Sequence, residues 1–180
     1  MPSPQPTLST ERLILRPFTM EDAGRVEELA GDPEVARYTA NIPHPYPVGS
    51  ATKWIAVHIL HYLEQEAVIF AIQEKDGPLL GAIQLTLELE HGRAEMGYWI
   101  GRPFWGKGYG SEAARSVLDY GFREWALHRI YASYVSANLA SGRIMQKLGM
   151  TREGVLREHT LRDDFHSDLV HYGILRNEWK

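Results

Sequence analysis

The sequence predicts a mixed α/β (α+β) fold, built on one twisted, mixed sheet of about seven strands with about four helices. Its length of 180 residues fits one domain. Apolar residues recur at three- and four-residue spacings before residue 67 and at two-residue spacing after it. A strand–loop–helix–strand order after residue 94 requires local parallel pairing. We therefore expect a single domain over residues 1–180, in which residues 1–9, with three prolines, form a flexible tail.

The first part of the chain is predicted to contain one short strand and two helices. The pattern of residues 12–16, which stop at Pro17, indicates the strand. Thr19 is the expected N-cap of the first helix. An irregular loop is expected over residues 38–49, because three prolines fall within five of its positions. The second helix is predicted over residues 50–66.

The second part is predicted to be a three-stranded antiparallel meander followed by one βαβ unit and a final pair of strands. The meander strands are expected at residues 68–72, 80–89 and 94–100. The later elements are a helix at 111–125, a strand at 130–135, a helix at 140–148 and extended segments at 151–159 and 169–175. A polar loop at 162–167 is expected between the last two.

Composition excludes several classes of protein. Nineteen Lys and Arg against 23 Asp and Glu give a net charge of −4, which argues against non-specific nucleic-acid binding. No apolar run approaches the ~20 residues of a membrane span, and the first residues lack the regions of a signal peptide. The absence of cysteine excludes a disulfide framework, a thiol nucleophile and a Cys-ligated zinc. We expect a cytoplasmic protein with no membrane or nucleic-acid partner.

A glycine-rich loop between a predicted strand and a predicted helix is the most informative segment. Glycines let backbone N–H groups turn toward one point, and the helix N-terminus adds about half a positive charge. This arrangement predicts an anion site, most naturally for a phosphate or pyrophosphate. The alternative is a glycine-rich turn that only bends the chain and has no binding function. The predicted phosphate-binding residues are Gly106, Lys107, Gly108, Tyr109, Gly110 and Ser111.

Two nucleotide-binding motifs fit this loop poorly. Gly101 and the Gly106-Lys107 pair have Walker A spacing, but Gly108 stands where Ser or Thr would hold Mg²⁺. No later strand ends in a convincing Walker B aspartate. The Rossmann pattern also fails, because the loop follows an antiparallel meander and does not open a βαβ domain.

Four motifs in order resemble the GNAT N-acetyltransferase superfamily. Residues 105–110 (WGKGYG) look like its acetyl-CoA pyrophosphate loop, and residues 135–150 look like its second cofactor motif. The opening at 10–16 and the ending Glu178-Trp179 are similar to its ribosomal-protein N-terminal acetyltransferase (Rim-type) branch. The resemblance runs from residue 10 to 180. Trp105 departs from the pattern, since the superfamily has Arg or Gln there, so backbone amides and Lys107 are left to bind the phosphates.

The resemblance implies a fold and a reaction. In the family, the fourth and fifth strands run parallel and splay apart, and the pantetheine arm fills the gap; here these are residues 94–100 and 130–135. It implies acetyl-CoA as co-substrate, no metal, and transfer to an amine, first of all a protein or peptide α-amine. A small amine such as a polyamine, antibiotic or amino acid is the alternative acceptor, and a non-catalytic acyl-CoA-binding domain is the alternative function. A monomer and a homodimer are both compatible with this interpretation.

Candidate catalytic groups also follow from the resemblance. Ser141 is expected to protonate the departing thiolate, and Asn138 to orient cofactor or water. Capping a helix is the alternative role of Ser141, and it is expected to be at least part of the role of Asn138. Backbone N–H groups around Trp99 and Ile100 are expected to stabilise the oxyanion.

The acceptor side has a weaker set of candidates. Glu95, at the start of a strand, is expected to draw the proton from the acceptor ammonium. The alternative role is structural, as a solvated carboxylate that pairs with Arg93. Rival acidic residues are Glu158, Asp163 and Asp164.

Aromatic and histidine side chains give the last expectations. Tyr38, Tyr46 and Trp54 are candidate walls of an acceptor pocket or ordinary packing around the proline-rich loop. His58 and His61 are three residues apart on a predicted helix, but no partner with known metal-ligand spacing accompanies them, so no metal site is expected.

Overall fold

An eight-stranded mixed sheet organises the chain in a computed structural model that describes residues 4–39, 41–162 and 164–180. The strands lie side by side in the order β1-β2-β3-β4-β5-β6-β8-β7. Their bounds are β1 (Leu8–Ser9), β2 (Leu13–Arg16), β3 (Ala67–Glu74), β4 (Leu79–Glu88), β5 (Arg93–Ile100), β6 (Arg129–Val135), β7 (Thr151–Arg162) and β8 (Phe165–Leu175). The predicted mixed α/β class and the β3–β4–β5 meander are confirmed.

The additional strand comes from the segment that was predicted as a tail. Leu8 and Ser9 pair antiparallel with Leu15 and Ile14 of β2, so the extended segment begins before residue 10. The side chain of Gln5 also donates a hydrogen bond to the Ile69 carbonyl at 2.8 Å. These contacts are long-range in sequence, so they cannot be predicted from the local spacing of apolar residues.

The part of the chain that the structure describes contains six α-helices, more than the sequence predicts. They are α1 (Ala23–Ala30), α2 (Pro33–Arg37), α3 (Ser50–Ala56), α4 (His58–Leu63), α5 (Tyr109–Arg123) and α6 (Leu139–Lys147). The helix predicted over 50–66 is divided at Val57 into α3 and α4. The additional helix, α2, begins with a local signal, because Asp32 caps it by accepting a hydrogen bond from Glu34 N and Pro33 takes its first position.

Helices cover both faces of the sheet. On one face, α5 packs its small and aliphatic residues against fully buried side chains of the central strands, such as Leu85 and Met96. On the other face, α1 and α3 pack around Ala71 and Leu79. The sheet is therefore buried from two sides, and openings to solvent occur where strands separate.

The parallel strands β5 and β6 separate soon after they pair. Their register contains only Arg93 with Arg129, Ala94 with Ile130, and Glu95 with Tyr131. Beyond Glu95, β5 continues along β4, while β6 continues along β8 to Val135. This confirms the expected splay; the two strands are fifth and sixth in chain order because β1 precedes them.

The last two strands form a longer hairpin than expected. The segment predicted as a polar loop at 162–167 is mostly strand, since Arg162 pairs with Phe165 and β8 begins there. Asp164 turns the chain with a φ of 65°. Arg162 donates hydrogen bonds to the backbone carbonyls of Ala36 and, at 2.9 Å, Ile42, and this holds the hairpin end against the loop after α2.

Candidate functional site

Two cavities meet where β5 and β6 separate. The first, of about 570 Å³, lies beside the glycine-rich loop and α6, and we call it the glycine-loop cavity. The second, of about 500 Å³, is lined by Tyr38, Tyr46, Trp54 and Trp99, and we call it the aromatic cavity. Residues that line both cavities are Tyr38, Thr39, Tyr98, Trp99, Asn138 and Ser141. A molecule bound in one cavity can therefore reach a molecule bound in the other.

The backbone of the glycine loop has the geometry of an anion site. Gly106 and Gly108 have φ values of 76° and 84°, in the left-handed region that other residues adopt only under strain. Gly108 immediately precedes α5, whose first N–H groups have no partner within the helix. A Cβ on Gly110 would lie 3.0 Å from Ile144 Cδ1, so α5 and α6 approach closely at this point. These features favour backbone binding of phosphate.

Two side chains of the loop make contacts with other side chains. Lys107 Nζ lies 5.5 Å from the centre of the Phe104 ring, and Lys107 is not among the residues that line the cavity. Tyr109 lines the cavity, and its hydroxyl donates a hydrogen bond to the Glu74 carboxylate. Ser111 lines the cavity as expected. The positive charge that lines the cavity comes from α6, where Arg143 and Lys147 lie four residues apart on one face; the sequence analysis missed both.

Trp105 has a role that the sequence did not predict. Its indole N–H donates a hydrogen bond to the Ile100 carbonyl at 2.6 Å, and its ring contacts Tyr38 edge-on. The side chain that replaces the Arg or Gln of the superfamily pattern thus connects the loop to the end of β5.

A partly exposed hydrogen-bond network attaches the loop to the start of β2. Glu112 on α5 accepts hydrogen bonds from Thr10 Oγ1 at 2.6 Å and from Arg12 N at 2.8 Å, and it forms an ion pair with the Arg12 guanidinium. The same guanidinium donates to the Lys107 carbonyl at 3.0 Å. Burial by itself raises the pKa of Glu112, but these hydrogen bonds and the Arg12 charge lower it below its ordinary value. In the sequence, Thr10 and Arg12 belong to the opening that resembles the Rim-type branch, and Arg12 begins a predicted strand; neither predicts a contact with Glu112.

We expect Glu112→Gln to destabilise the fold by about 1–3 kcal/mol at neutral pH, because it removes the charge that Thr10 and Arg12 surround. A lowered folded-state pKa contributes stability above the unfolded pKa of ~4.3, and that stability is lost as pH falls through the folded value. Urea unfolding at several pH values measures this. The exposed neighbour Glu11→Gln is the control, and a native–variant difference that stays constant down to pH 3 contradicts the prediction.

Asn138 and Ser141 lie on the shared wall of the two cavities. Asn138 caps α6, since its Oδ1 accepts a hydrogen bond from Ser141 N at 3.1 Å, and its Nδ2 donates to the Tyr38 carbonyl. The Ser141 side chain contacts the hydroxyl of the buried Tyr98. The cap of α6 is formed by Asn138 and does not use the Ser141 hydroxyl.

Tyr98 is a further residue of this wall that the sequence analysis missed. Its hydroxyl donates to the Ser141 carbonyl at 3.4 Å, and burial raises the pKa of Tyr98 to about 12. The phenol is therefore neutral at physiological pH.

The end of β5 presents backbone N–H groups to the gap. Gly101 N donates to the Leu80 carbonyl on β4 at 2.8 Å. Because hydrogen-bonded pairs alternate along an antiparallel ladder, Trp99 N–H faces β4, whereas Ile100 N–H faces the gap. Ile100 is thus the better placed of the two expected oxyanion donors.

Glu95 lies on the wall of the aromatic cavity, together with Gln84, Thr86 and Ser133. Burial raises the pKa of Glu95; the nearby Glu88 carboxylate adds to this and the charge of His171 opposes it. Arg93 forms its ion pair with Glu88, so Glu95 is not the solvated partner of Arg93.

The rival acidic residues lie elsewhere. Glu158 and Asp164 are exposed and do not line the aromatic cavity. Asp163 lies outside the described residues. Of the three candidate carboxylates that the structure describes, Glu95 lies on the cavity wall, and Tyr38, Tyr46 and Trp54 lie there as well.

The histidines of α4 have separate surroundings. His58 is buried against Phe18 and Trp54, both ring nitrogens lack a partner among the described residues, and burial lowers its pKa to about 4. His61 pairs with Glu66 at 2.7 Å. Within residues 4–39, 41–162 and 164–180, no three His, Cys, Asp or Glu side chains are grouped to hold a metal ion, and no helix is long and apolar enough to cross a membrane.

Comparison with protein families matches residues 12–151 to the acetyltransferase (GNAT) domain. The chain belongs to the GNAT acetyltransferase family. As a GNAT protein it is an acetyl-CoA-dependent N-acyltransferase, with acetyl-CoA as co-substrate. The glycine loop fits such a molecule, because its left-handed glycines and the N-terminus of α5 present backbone N–H groups to the cavity.

Relatives of this GNAT chain cover most of its length. "Uncharacterized N-acetyltransferase p20" of Bacillus licheniformis is 35% identical over 175 residues, which are 96% of this chain and 98% of that protein. "Putative ribosomal N-acetyltransferase YdaF" of Bacillus subtilis is 36% identical over 106 residues, 58% of each chain. The structure of spermidine N-acetyltransferase from Vibrio cholerae in complex with CoA and spermine has a TM-score of 0.82 at 22% identity, covering 94% of this chain and 98% of that one. The expected resemblance to the GNAT superfamily is confirmed, and over 58% of the chain it extends to a relative that is named as a putative ribosomal N-acetyltransferase.

Proposed function

We propose that this GNAT enzyme transfers the acetyl group of acetyl-CoA to the α-amine of a protein or peptide N-terminus, by direct attack of the amine on the thioester. The observation that carries the proposal is the meeting of the two cavities at Tyr98, Asn138 and Ser141. One cavity offers an anion site and the other a carboxylate among aromatic rings. Thioester and amine can meet only at the gap between them.

The glycine-loop cavity is the proposed site of acetyl-CoA. Backbone N–H groups from Gly106 to Ser111 bind the pyrophosphate, and Arg143 and Lys147 on α6 add positive charge. Lys107 contributes to the local potential without lining the cavity. Pantetheine then follows the gap along β5, where the N–H of Ile100 faces the thioester oxygen and stabilises the developing oxyanion.

Ser141 is the proposed donor of a proton to the departing CoA thiolate. Ser141 lines both cavities, and its hydroxyl is not used to cap α6. Asn138 holds the helix start that carries it. A thiolate leaves more readily when a positioned acid protonates it.

Glu95 is the proposed base for the acceptor. Its burial raises its pKa, which makes the carboxylate a better proton acceptor than an exposed one. An α-amine with a pKa of ~7.7–8.0 is about a quarter neutral near pH 7.4, whereas a lysine at ~10.4 is about one part in a thousand. A carboxylate base suits the more easily deprotonated amine. The relation to YdaF, which is named as a putative ribosomal N-acetyltransferase, also favours a protein acceptor.

We expect short peptides with a free N-terminus to be acetylated with at least a tenfold higher kcat/KM than N-blocked peptides that contain lysine, because their amine is neutral far more often. Release of the CoA thiol, followed with a thiol-reactive dye across peptides and a polyamine panel, measures this.

Polyamines are the main rival acceptors, since the Vibrio cholerae neighbour of this fold holds spermine. If polyamines or blocked peptides are preferred tenfold, the α-amine proposal is wrong. If acetyl-CoA binds and no amine releases thiol, the chain is a non-catalytic acyl-CoA-binding domain. A cytoplasmic location, where acetyl-CoA and nascent proteins occur together, is part of the same proposal.

A further inference from the structure

The polar wall of the aromatic cavity continues from β5 across β6 into β8. Glu95 pairs with Tyr131, and Ser133 lies two residues further along β6, so Glu95 and Ser133 share one face of the sheet. On β8, His171 is directly opposite Ser133. The Ser133 Oγ and His171 Nδ1 atoms are 2.8 Å apart, within hydrogen-bond distance. The Glu95 carboxylate, the Ser133 hydroxyl and the His171 ring therefore lie on one face of the sheet, on the neighbouring strands β5, β6 and β8.

We infer that the Ser133–His171 pair is the second proton acceptor of the acceptor site, and that it takes over the proton that Glu95 draws from the ammonium. The inference rests on the proposed function, in which this pair has no role. First the acceptor ammonium protonates the Glu95 carboxylate and leaves a neutral amine. The carboxylic acid then passes the proton through cavity water to Ser133 Oγ, whose own proton moves to His171 Nδ1. Glu95 is again a carboxylate, Ser133 a hydroxyl, and His171 an imidazolium.

The chemistry of the groups supports this direction of transfer. An imidazole, with an ordinary pKa of ~6.5, binds a proton more tightly than a carboxylate at ~4.3. A proton that remained on Glu95 would leave the site without its base and without its attraction for the next ammonium. Transfer to His171 restores both, and it leaves the cavity wall anionic while the neutral amine attacks.

Most charged groups around the pair are already paired with one another. The titratable and charged side chains on the neighbouring strands include Glu88 on β4, Arg93 and Glu95 on β5, Arg129 and Tyr131 on β6, and Glu153 on β7. Arg93 is paired with Glu88, and Arg129 with Glu153. Glu95 has no such cation partner among the described residues, so its carboxylate is the free countercharge of the imidazolium. His171 Nε2 is buried and has no partner among the described residues, so Nδ1 is the ring nitrogen connected to the cavity.

His171→Asn tests the inference, because asparagine keeps a hydrogen-bonding group next to Ser133 and cannot take up a proton. The full chain is assayed with acetyl-CoA and a free-N-terminus peptide from pH 6 to pH 9.5. We expect kcat/KM to fall at least tenfold at pH 6.5 and less than threefold at pH 9.5, where an α-amine of pKa ~7.7–8.0 is already neutral. A residue that only supports the fold would lower the rate by the same factor at every pH.

Two further variants keep the test decisive if His171→Asn folds poorly. Ser133→Ala breaks the connection and should show the same pH-dependent loss, whereas Ser133→Thr retains the hydroxyl and should restore most of the activity. The exposed His91→Asn is the matched control. A pH-independent loss in both His171→Asn and Ser133→Ala overturns the proton route while the proposed function stands. If the native chain acetylates no free amine, the proposed function fails, and the proton route fails with it.

Discussion

Gly108→Glu is expected to weaken acetyl-CoA binding by at least about a hundredfold, which corresponds to about 3 kcal/mol. Two effects act together. Gly108 has a φ of 84°, so any side chain strains the backbone at the residue that precedes α5. The new carboxylate also enters a site whose backbone N–H groups are available for phosphate, and its charge repels the pyrophosphate. Isothermal titration calorimetry with acetyl-CoA measures the affinity directly.

Two variants separate the contributions. Gly108→Ala adds strain without charge, and its Cβ would lie 3.4 Å from Arg12 Nη2, so we expect an intermediate loss. Gly24→Glu adds the same charge on α1, where a Cβ meets no atom within 4 Å, and should bind acetyl-CoA like the native chain. Native affinity in a folded Gly108→Glu variant would show that the glycine loop does not bind the cofactor.

Ser141→Ala is expected to lower kcat by ~10²–10⁴-fold with little change in acetyl-CoA affinity, which is the usual contribution of a positioned acid. The capping hydrogen bond of α6 comes from Asn138 and ends on the backbone of Ser141, so the substitution leaves it in place. The melting temperature should therefore stay close to the native value. Steady-state kinetics at saturating acetyl-CoA, together with thermal unfolding, measures both quantities.

Ser136→Ala is the matched control, because Ser136 is exposed, lies outside both cavities and is five residues away. A decrease in kcat of less than tenfold in Ser141→Ala would show that Ser141 lines the cavity but does not protonate the thiolate. Tyr98, whose neutral hydroxyl lies beside the same backbone segment, would then be the next residue to substitute.

Local patterns in the sequence predicted what local geometry determines. The glycine loop, the meander and the helix after the loop all follow from glycine positions and from two- or four-residue spacing. The role of Asn138 as a helix cap could be predicted for the same reason, since its capping hydrogen bond joins residues only three positions apart. These features need no information from distant parts of the chain.

Local sequence patterns do not predict the direction of side chains or the contacts between distant parts of the chain. The position of Lys107 over Phe104 depends on the path of the loop, and the sequence shows only that a lysine is present. The attachment of Arg12 to Glu112 joins residues 100 apart, and the Ser133–His171 pair joins residues 38 apart. Each depends on strand order, which becomes known only when the whole sheet is assembled.

The unequal pairing within the sheet also affects how the molecule deforms. Eight residue pairs join β4 to β5 and seven join β6 to β8, but three join β5 to β6. Strands β2 to β5 therefore behave as one stiff block, and β6 to β8 as another, along a compliant seam. A small rotation between the blocks changes the width of the seam while breaking few hydrogen bonds. Since both cavities open onto this seam, the reacting groups lie where the elastic resistance between the two blocks is low.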